Sequence, residues 1–266
     1  MTKRILSVLL ALILAFGCAA CGQSQAEPTT EATTEATTEP TTEATEPATE
    51  APTEAPTEPP LVLHSGLRED GSFNEGTLFI GDSLTCSFVG SYLKKEHLGD
   101  AKYMTICGST VKAFFDGTVL EPKDDVVALY SPEFEGKEFH QACADLGDTV
   151  TAIYLMWGTN YVRYGTEQDY IDIVDFLLEN CPNATIHLEQ IPYANPKLVP
   201  YTEINKRIQT AYDHYQALEE PRVFMVDTHR GIQRAIGVDG IHISDWGNKN
   251  WYNTLVQHAE IYELSE

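Results

Sequence analysis

The chain has 266 residues, 42% of them hydrophobic, and a formal net charge of −23 at pH 7. This acidity argues against binding of nucleic acid or of an anionic lipid surface, because like charges repel. The sequence has no G-x-G-x-x-G, P-loop or H-E-x-x-H motif, and the four cysteines after residue 60 lack C-x-x-C spacing. We therefore expect no cofactor and no metal ion.

Residues 1–21 have the features of an export signal. A basic start is followed by an apolar run to Phe16 and then by small residues and cysteines, a pattern too short to span a bilayer. Its end resembles that of bacterial lipoproteins, in which a cysteine after small residues is lipidated. Cys21 fits best, Cys18 is the alternative, and cleavage with release is a third option. We expect an extracellular protein whose only membrane contact is an N-terminal lipid anchor in the bacterial cell membrane.

Residues 22–60 consist almost entirely of Thr, Glu, Ala and Pro, with TEAT and PTEA repeated. No apolar face is available to offset the entropy lost on ordering, so we predict a disordered linker. Repulsion between its glutamates, together with its prolines, favours an extended spacer of roughly 100 Å. Such a spacer would lift a folded domain away from the membrane.

Residues 61–266 are enough for one domain with its own core. They hold 31 acidic and 15 basic residues, so the folded part is itself acidic and suits neutral or cationic substrates. Their four cysteines allow three disulfide connectivities, and buried free thiols are the alternative.

Alternating strands and helices predict the fold class. The helical patterns lie at Tyr170–Leu178, at Thr202–Gln216 and from about Trp246 to Tyr262, and a helix is also predicted at Glu138–Leu146 in the irregular segment Gly117–Gly147. Five short apolar runs, most of them continuous rather than alternating, indicate strands covered on both faces: Thr77–Ile80, Tyr103–Ile106, Thr151–Trp157, Thr185–Glu189 and Arg222–Val226. We expect a three-layer α/β/α sandwich around a mainly parallel five-stranded sheet of flavodoxin-like type.

Residues with chemical potential follow four of the predicted strands. Ser83 follows the first strand, Gly108 the second and Asn160 the third, and Asp239 and His242 come after the fifth. Ligands bind at the carboxyl ends of parallel strands, which share one edge of the sheet. We therefore expect a hydroxyl, a backbone amide, a carboxamide and an imidazole with its carboxylate to converge there.

This set of groups meets the needs of nucleophilic catalysis on an ester. A serine hydroxyl needs a base such as His242, and the base needs a carboxylate such as Asp239 to orient it. The amides of Ser83 and Gly108 and the side chain of Asn160 are candidate oxyanion donors. The alternatives are a helix N-cap for Ser83, a structural histidine at 242, and ordinary turn positions for Gly108 and Asn160.

Four motifs together resemble those of the SGNH (GDSL) hydrolase family. FIGDSL matches the serine block at Ser83, ICGST the glycine block at Gly108, LMWGTN the G-x-N block at Asn160, and VDGIHIS the D-x-x-H block at Asp239 and His242. Each block alone is a weak signal, but four in this order over most of the domain are specific. The resemblance implies the SGNH fold, a Ser-His-Asp triad and an acyl-enzyme intermediate.

The chain departs from the family pattern beside the third block, where Trp157 precedes the glycine and Tyr161 follows the asparagine. These two aromatics and Trp246, near the histidine, are candidate substrate-binding residues, with ordinary packing as the alternative. Asp82 is expected to brace the serine turn rather than to transfer protons.

The sequence favours a cell-surface serine esterase acting on short-chain, O-acetyl esters of a small substrate or of a carbohydrate. Surface display on a long spacer, together with the aromatics, favours the glycan. The enzymatic alternatives are a lipolytic enzyme or an acyltransferase with the same triad. The non-enzymatic alternative is a surface binding module whose triad is idle.

Overall fold

The computed structural model of the protein describes residues 60–160, 165–192, 195–232 and 236–265. All of these residues fall within the unit Glu58–Glu266. The predicted signal peptide with Cys21, the predicted linker up to residue 59 and the candidate residue Tyr161 lie outside the described residues. Within the described ranges, no helix combines the length and the apolar character needed to cross a membrane.

The core of the domain is one six-stranded sheet. Its strands are β1 (Thr77–Gly81), β2 (Lys102–Ile106), β3 (Ala128–Tyr130), β4 (Ala152–Met156), β5 (Thr185–Glu189) and β6 (Val223–Val226). They are ordered β3-β2-β1-β4-β5-β6 across the sheet. All neighbouring pairs are parallel except β2 and β3, which are antiparallel. The order reverses direction on either side of β1, which is where ligands bind in open sheets of this kind.

The prediction of five strands is wrong by one. The additional strand, β3, is an edge strand of three half-buried residues, too short to show an alternating or continuous apolar pattern. It pairs with β2 through a register that joins Tyr130 to Met104. The other five strands lie where the sequence predicts them, within one residue at either end. Every residue of β1, β4 and β5 is buried, as expected for strands covered on both faces.

Helices flank the sheet and complete the predicted three-layer α/β/α arrangement. The helix predicted at Glu138–Leu146 is present as α3. The α-helices are α1 (Ser83–Ser87), α2 (Lys94–Glu96), α3 (Phe139–Leu146), α4 (Glu167–Asn180), α5 (Tyr201–Ala217), α6 (Thr228–Gly231) and α7 (Asp245–Ile261), with a π-helical segment, Phe88–Leu93, joining α1 to α2. The π-helical segment packs against α7 through Phe88 and Trp251, whose rings stack with centroids 4.1 Å apart.

A buried polar cluster between β5 and α7 was not predicted from the sequence. Glu189 accepts a hydrogen bond from Nε1 of Trp251 at 2.5 Å. His187 Nε2 lies 3.0 Å from the carbonyl oxygen of His64, which can only accept, so this nitrogen carries the proton. His187 Nδ1 then accepts from His258 Nε2 at 3.2 Å. Burial lowers the pKa of His187 to about 3 and that of His258 to about 4, so both rings are neutral at pH 7.

Because its carboxyl group is buried, Glu189 is expected to make the protein less stable as the pH rises from 4.5 to about 8. Burial raises its pKa from 4.5 to about 8, although the hydrogen bond from Trp251 opposes this. An acid with a raised folded-state pKa favours folding fully below pH 4.5, and this contribution is lost as the pH rises through about 8, at up to about 1.4 kcal/mol per pH unit. We expect Glu189→Gln, which keeps an acceptor for Trp251, to gain stability relative to the wild type between pH 5 and 9.

Urea unfolding at each pH measures this difference, with Glu179→Gln at an exposed position of α4 as the matched control. The difference between the Glu189→Gln and wild-type stability curves is free of the contribution of the two buried histidines, which acts below pH 6.5 and is present in both proteins. A difference between Glu189→Gln and wild type that stays constant from pH 5 to 9 would contradict a neutral Glu189.

The four described cysteines are free thiols. Burial, followed by the neighbouring thiol of Cys86, raises the pKa of Cys107 to about 12. The Sγ atom of Cys181 lies 3.6 Å from the carbonyl oxygen of Cys143. Thiols protonated to this extent are poor nucleophiles at neutral pH, so Cys107, although next to Gly108, is not a candidate nucleophile.

Candidate active site

The turn between β1 and α1 presents the hydroxyl of Ser83 at the carboxyl edge of the sheet. Asp82 is the N-cap of α1 and Ser83 is its first residue. A Cβ atom at Gly81 would lie 2.1 Å from both Met156 O and Thr85 Oγ1. Only glycine therefore permits this close approach of the turn to β4. The tight turn ends the buried strand and leaves Ser83 partly accessible.

Ser83, His242 and Asp239 form one hydrogen-bonded chain. His242 Nε2 lies 3.2 Å from Ser83 Oγ, and His242 Nδ1 lies 2.5 Å from Asp239 Oδ2. An ionised carboxylate can only accept, so Nδ1 carries the proton and Nε2 offers its lone pair to the serine hydroxyl. The side chains of His242 and Asp239 are 46% and 47% exposed, so the chain of groups lies at an open surface.

A short loop holds the acid and the base in this geometry. The amide of Gly237 donates to the carbonyl of His242 at 2.6 Å, and Gly240 turns the loop with a φ of +76°. Asp239 Oδ1 accepts from the amides of Ile241 and His242 at 3.0 and 2.9 Å. The hydrogen bond with His242, followed by these two amides, lowers the pKa of Asp239 to about 2. Asp239 is therefore ionised at neutral pH and can stabilise a protonated His242.

The candidate oxyanion donors lie on the loops that flank the serine turn, since β2 and β4 are the two neighbours of β1. Gly108 follows β2 with a φ of +79°, and a Cβ atom there would meet nothing within 4 Å, so its backbone faces open space. Asn160 is exposed and its Nδ2 donates to the carbonyl of Ser109 at 3.1 Å. This bond ties the loop after β2 to the loop after β4.

Asp82 has a larger structural role than a turn brace. Its carboxyl group is fully buried. Oδ1 accepts from the amide of Leu84 at 3.1 Å, while Oδ2 accepts from the amides of Gly158 and Thr159 at 3.2 and 2.9 Å and from the Thr159 hydroxyl at 2.5 Å. Burial raises the pKa of Asp82, and the four donors oppose this. Asp82 thus joins the turn that carries Ser83 to the loop that carries Asn160.

Thr159 is the site residue that the sequence analysis missed. It contributes two of the four donors to Asp82, yet nothing in its local pattern distinguishes it from any turn threonine. The sequence signal that could have indicated this contact is that Asp82 and Thr159 both lie in motif blocks, which follow the adjacent strands β1 and β4.

The candidate substrate-binding residues divide into two groups. The prediction for Trp157 is wrong: its side chain is fully buried, packs against Phe139 and donates from Nε1 to Ser109 Oγ at 3.1 Å. A ring with no exposed surface supports the Gly108 loop from below and does not contact substrate. Trp246, in the first turn of α7, is 59% exposed and remains a candidate. Among the residues that the structure describes, no group of three or more His, Cys, Asp or Glu side chains is arranged to hold a metal ion.

No family model and no curated protein matches the sequence. Several solved structures match the fold. A carbohydrate esterase family 3 protein from Talaromyces cellulolyticus has 12% identity and a TM-score of 0.47 over 71% of this chain and 99% of its own. The catalytic domain of a peptidoglycan O-acetyltransferase from Streptococcus pneumoniae has 14% identity and a TM-score of 0.42 over 72% and 98%. A lipase/acylhydrolase from Enterococcus faecalis has 15% identity and a TM-score of 0.42 over 70% and 96%.

Because their TM-scores are below 0.5, these likenesses carry no functional argument. Any such argument depends on the residues of the site. Ser83, the first residue of α1, and the loop residues Gly108, Asn160, Asp239 and His242 lie at the carboxyl edge of the sheet. By the order of its four motifs and the layers of its fold, the chain is similar to hydrolases of the SGNH (GDSL) type.

Proposed function

We propose that the protein is a serine esterase of the SGNH type that removes short acyl groups, chiefly O-acetyl groups, from carbohydrate. The observation that carries the proposal is the hydrogen-bonded chain from Ser83 through His242 to Asp239 at the carboxyl edge of the sheet. A nucleophile, a base and an orienting carboxylate in this geometry are what acyl transfer needs.

The geometry supports a two-stage reaction. Ser83 Oγ attacks the ester carbonyl as its proton passes to His242 Nε2, and Asp239 stabilises the imidazolium that forms. The amides of Ser83 and Gly108 and Nδ2 of Asn160 hold the negative oxygen of the tetrahedral intermediate. His242 then returns the proton to the departing alcohol oxygen, leaving the acyl group on Ser83. Water activated by His242 cleaves the acyl-enzyme and regenerates the serine.

The open position of the site supports a bulky, polar alcohol partner. The side chains of His242 and Asp239 are about half exposed, so an ester on a polymer can approach without entering a tunnel. The acidic domain suits a neutral glycan better than an anionic lipid surface. We further propose that the N-terminal lipid and the spacer display the domain outside the cell membrane, where such glycans occur.

Acyl release from a panel of esters tests the proposed substrate class. The panel comprises acetylated xylan, mannan and peptidoglycan together with nitrophenyl esters of increasing chain length. We expect acetate release from at least one glycan and a nitrophenyl series in which acetate is preferred to chains of eight or more carbons. Activity confined to long-chain esters would overturn the glycan assignment in favour of a lipolytic enzyme. Equal rates for wild type and Ser83→Ala on every ester would indicate an idle binding module.

A further inference from the structure

A cavity is formed by two elements that lead away from the proposed active site. It measures about 330 Å³ and is lined by six residues: Tyr92, Lys95, Glu96, Asp245, Trp246 and Lys249. We call it the Trp246 cavity. Three of its residues belong to the helical segment that begins at Ser83, and the other three belong to the first turns of α7.

The Trp246 cavity lies close to the catalytic groups on both sides. Trp246 is four residues after His242, so their Cα atoms are at most about 14 Å apart. Tyr92 is nine residues after Ser83 along α1 and the π-helical segment, a rise of at most about 14 Å at the α-helical value of 1.5 Å per residue. The cavity is thus near enough for one extended substrate to occupy it while its ester reaches Ser83.

The aromatic part of the cavity is rigid on one side and accessible on the other. The Tyr92 ring stacks on Phe88 with an interplanar angle of 7° and also contacts Tyr252, whose hydroxyl donates to the Gly71 carbonyl at 2.7 Å. Trp246, by contrast, presents 59% of its surface to solvent. A preorganised ring and an exposed indole form a platform for a flat, partly apolar ligand.

The polar part of the cavity offers both donors and acceptors with no net charge. Lys95 and Lys249 supply ammonium groups, and Glu96 and Asp245 supply carboxylates. Within the described part of the chain, Lys95, Lys249 and Asp245 form no ion pair or side-chain hydrogen bond with one another or with other residues. Their polar heads are therefore available to hydroxyl groups, which both donate and accept.

We propose that the Trp246 cavity is a sugar subsite that binds a neutral pyranose ring of the acetylated glycan, with the ring stacked on Trp246 and its hydroxyls on the charged side chains. This proposal rests on the esterase function proposed above and adds the residues that select a glycan over a small ester. An apolar acyl chain would offer no hydrogen-bonding partner to Lys95, Lys249 and Asp245, which disfavours it as the occupant.

Kinetics on two substrates test the subsite. With acetylated xylo- and manno-oligosaccharides, we expect Trp246→Ala to raise KM by about tenfold with little change in kcat, because a lost stacking contact of this size weakens ground-state and transition-state binding alike. With nitrophenyl acetate, too small to reach the cavity, the variant should match the wild type. Trp246→Tyr, which retains an aromatic face, should recover most of the loss on the oligosaccharides.

The control is Leu218→Ala, at another exposed apolar residue that lies next to α5. It should leave KM and kcat unchanged on both substrates. A Trp246→Ala variant with unchanged oligosaccharide kinetics, or with equal losses on both substrates, would overturn the subsite and leave the esterase function standing.

A binding measurement separates failure of the subsite from failure of the esterase function. Calorimetry of the same oligosaccharides with Ser83→Ala, and with Ser83→Ala combined with Trp246→Ala, needs no turnover. If the wild type is inactive on all esters and binding by these variants still depends on Trp246, the subsite would be retained and the esterase function rejected. Affinity that is unchanged by Trp246→Ala, or no detectable binding at millimolar oligosaccharide, would reject the subsite.

Discussion

Ser83→Ala is expected to lower kcat on nitrophenyl acetate by at least about 10³-fold, with little change in KM. The Ser83 hydroxyl is the group to which His242 Nε2 points at 3.2 Å, and alanine leaves no atom to form the acyl-enzyme. His242→Ala should have an effect of similar size, because an unactivated serine is a poor nucleophile at neutral pH. The residual rate would come from the oxyanion donors and from substrate binding.

The double variant Ser83→Ala with His242→Ala gives the sharper result. Groups that act as a unit are strongly non-additive, so the double variant should be no slower than either single variant. If the rate losses of the two single variants multiply in the double variant, the two residues act independently, which would contradict the proposed proton transfer. Ser87→Ala, at the end of the same helix, and His214→Ala, on α5, are the matched controls and should keep the wild-type rate.

Covalent labelling checks the same proposal without turnover. A fluorophosphonate should add one adduct to the wild-type protein, located on Ser83 by peptide mass, and none to Ser83→Ala. Labelling of a different serine at the wild-type rate would place the nucleophile elsewhere.

Asp82→Ala is expected to reduce both stability and activity, although the carboxyl group is buried away from substrate. Its loss leaves the buried amides of Gly158 and Thr159 and the Thr159 hydroxyl without an acceptor. Unsatisfied buried donors typically cost about 1–3 kcal/mol each, not additively, so we expect a loss of at least about 3 kcal/mol in the free energy of unfolding. Urea unfolding measures it, with Asp116→Ala at an exposed turn as the control.

The effect of Asp82 on activity should pass through the position of Asn160. Asp82→Asn keeps the size of the side chain but turns an NH₂ group toward donors, so the loop after β4 should shift. We expect kcat to fall by about 10²-fold, within the range seen when an oxyanion donor is lost, while KM changes little. Wild-type stability and kcat in both Asp82 variants would contradict this positioning role. Loss of stability in Asp82→Ala alone, with normal kcat in Asp82→Asn, would limit Asp82 to a structural role.

Local sequence was informative wherever structure depends on neighbouring residues. Short apolar runs located five strands to within one residue at each end, because strands covered on both faces are predominantly apolar. The glycine and polar residues after each run marked the strand ends. Since parallel strands align their carboxyl ends, the convergence of Ser83 with the loop of Asp239 and His242 followed from topology. Their catalytic roles remain predictions that the variants above would test.

The misjudged positions are those whose environment comes from distant segments. The burial of Trp157 depends on α3, through Phe139, and on the loop after β2. The cluster of His187, His258 and Glu189 joins residues up to 71 positions apart. Strand β3 is three residues long and forms because β2 has an unpaired edge to offer.

The sequence by itself determined five of the six strands, the four longest helices and the four motifs that place Ser83, Asp239 and His242 at one edge of the sheet. These features depend on hydrophobic patterning and backbone geometry over a few residues. Only the tertiary structure decided which side chains are buried and which partners they meet: Asp82 with Thr159, Trp157 with Ser109, and Trp246 facing solvent in a cavity. Burial and hydrogen-bond partners are set by segments distant in sequence, so no local pattern contains them.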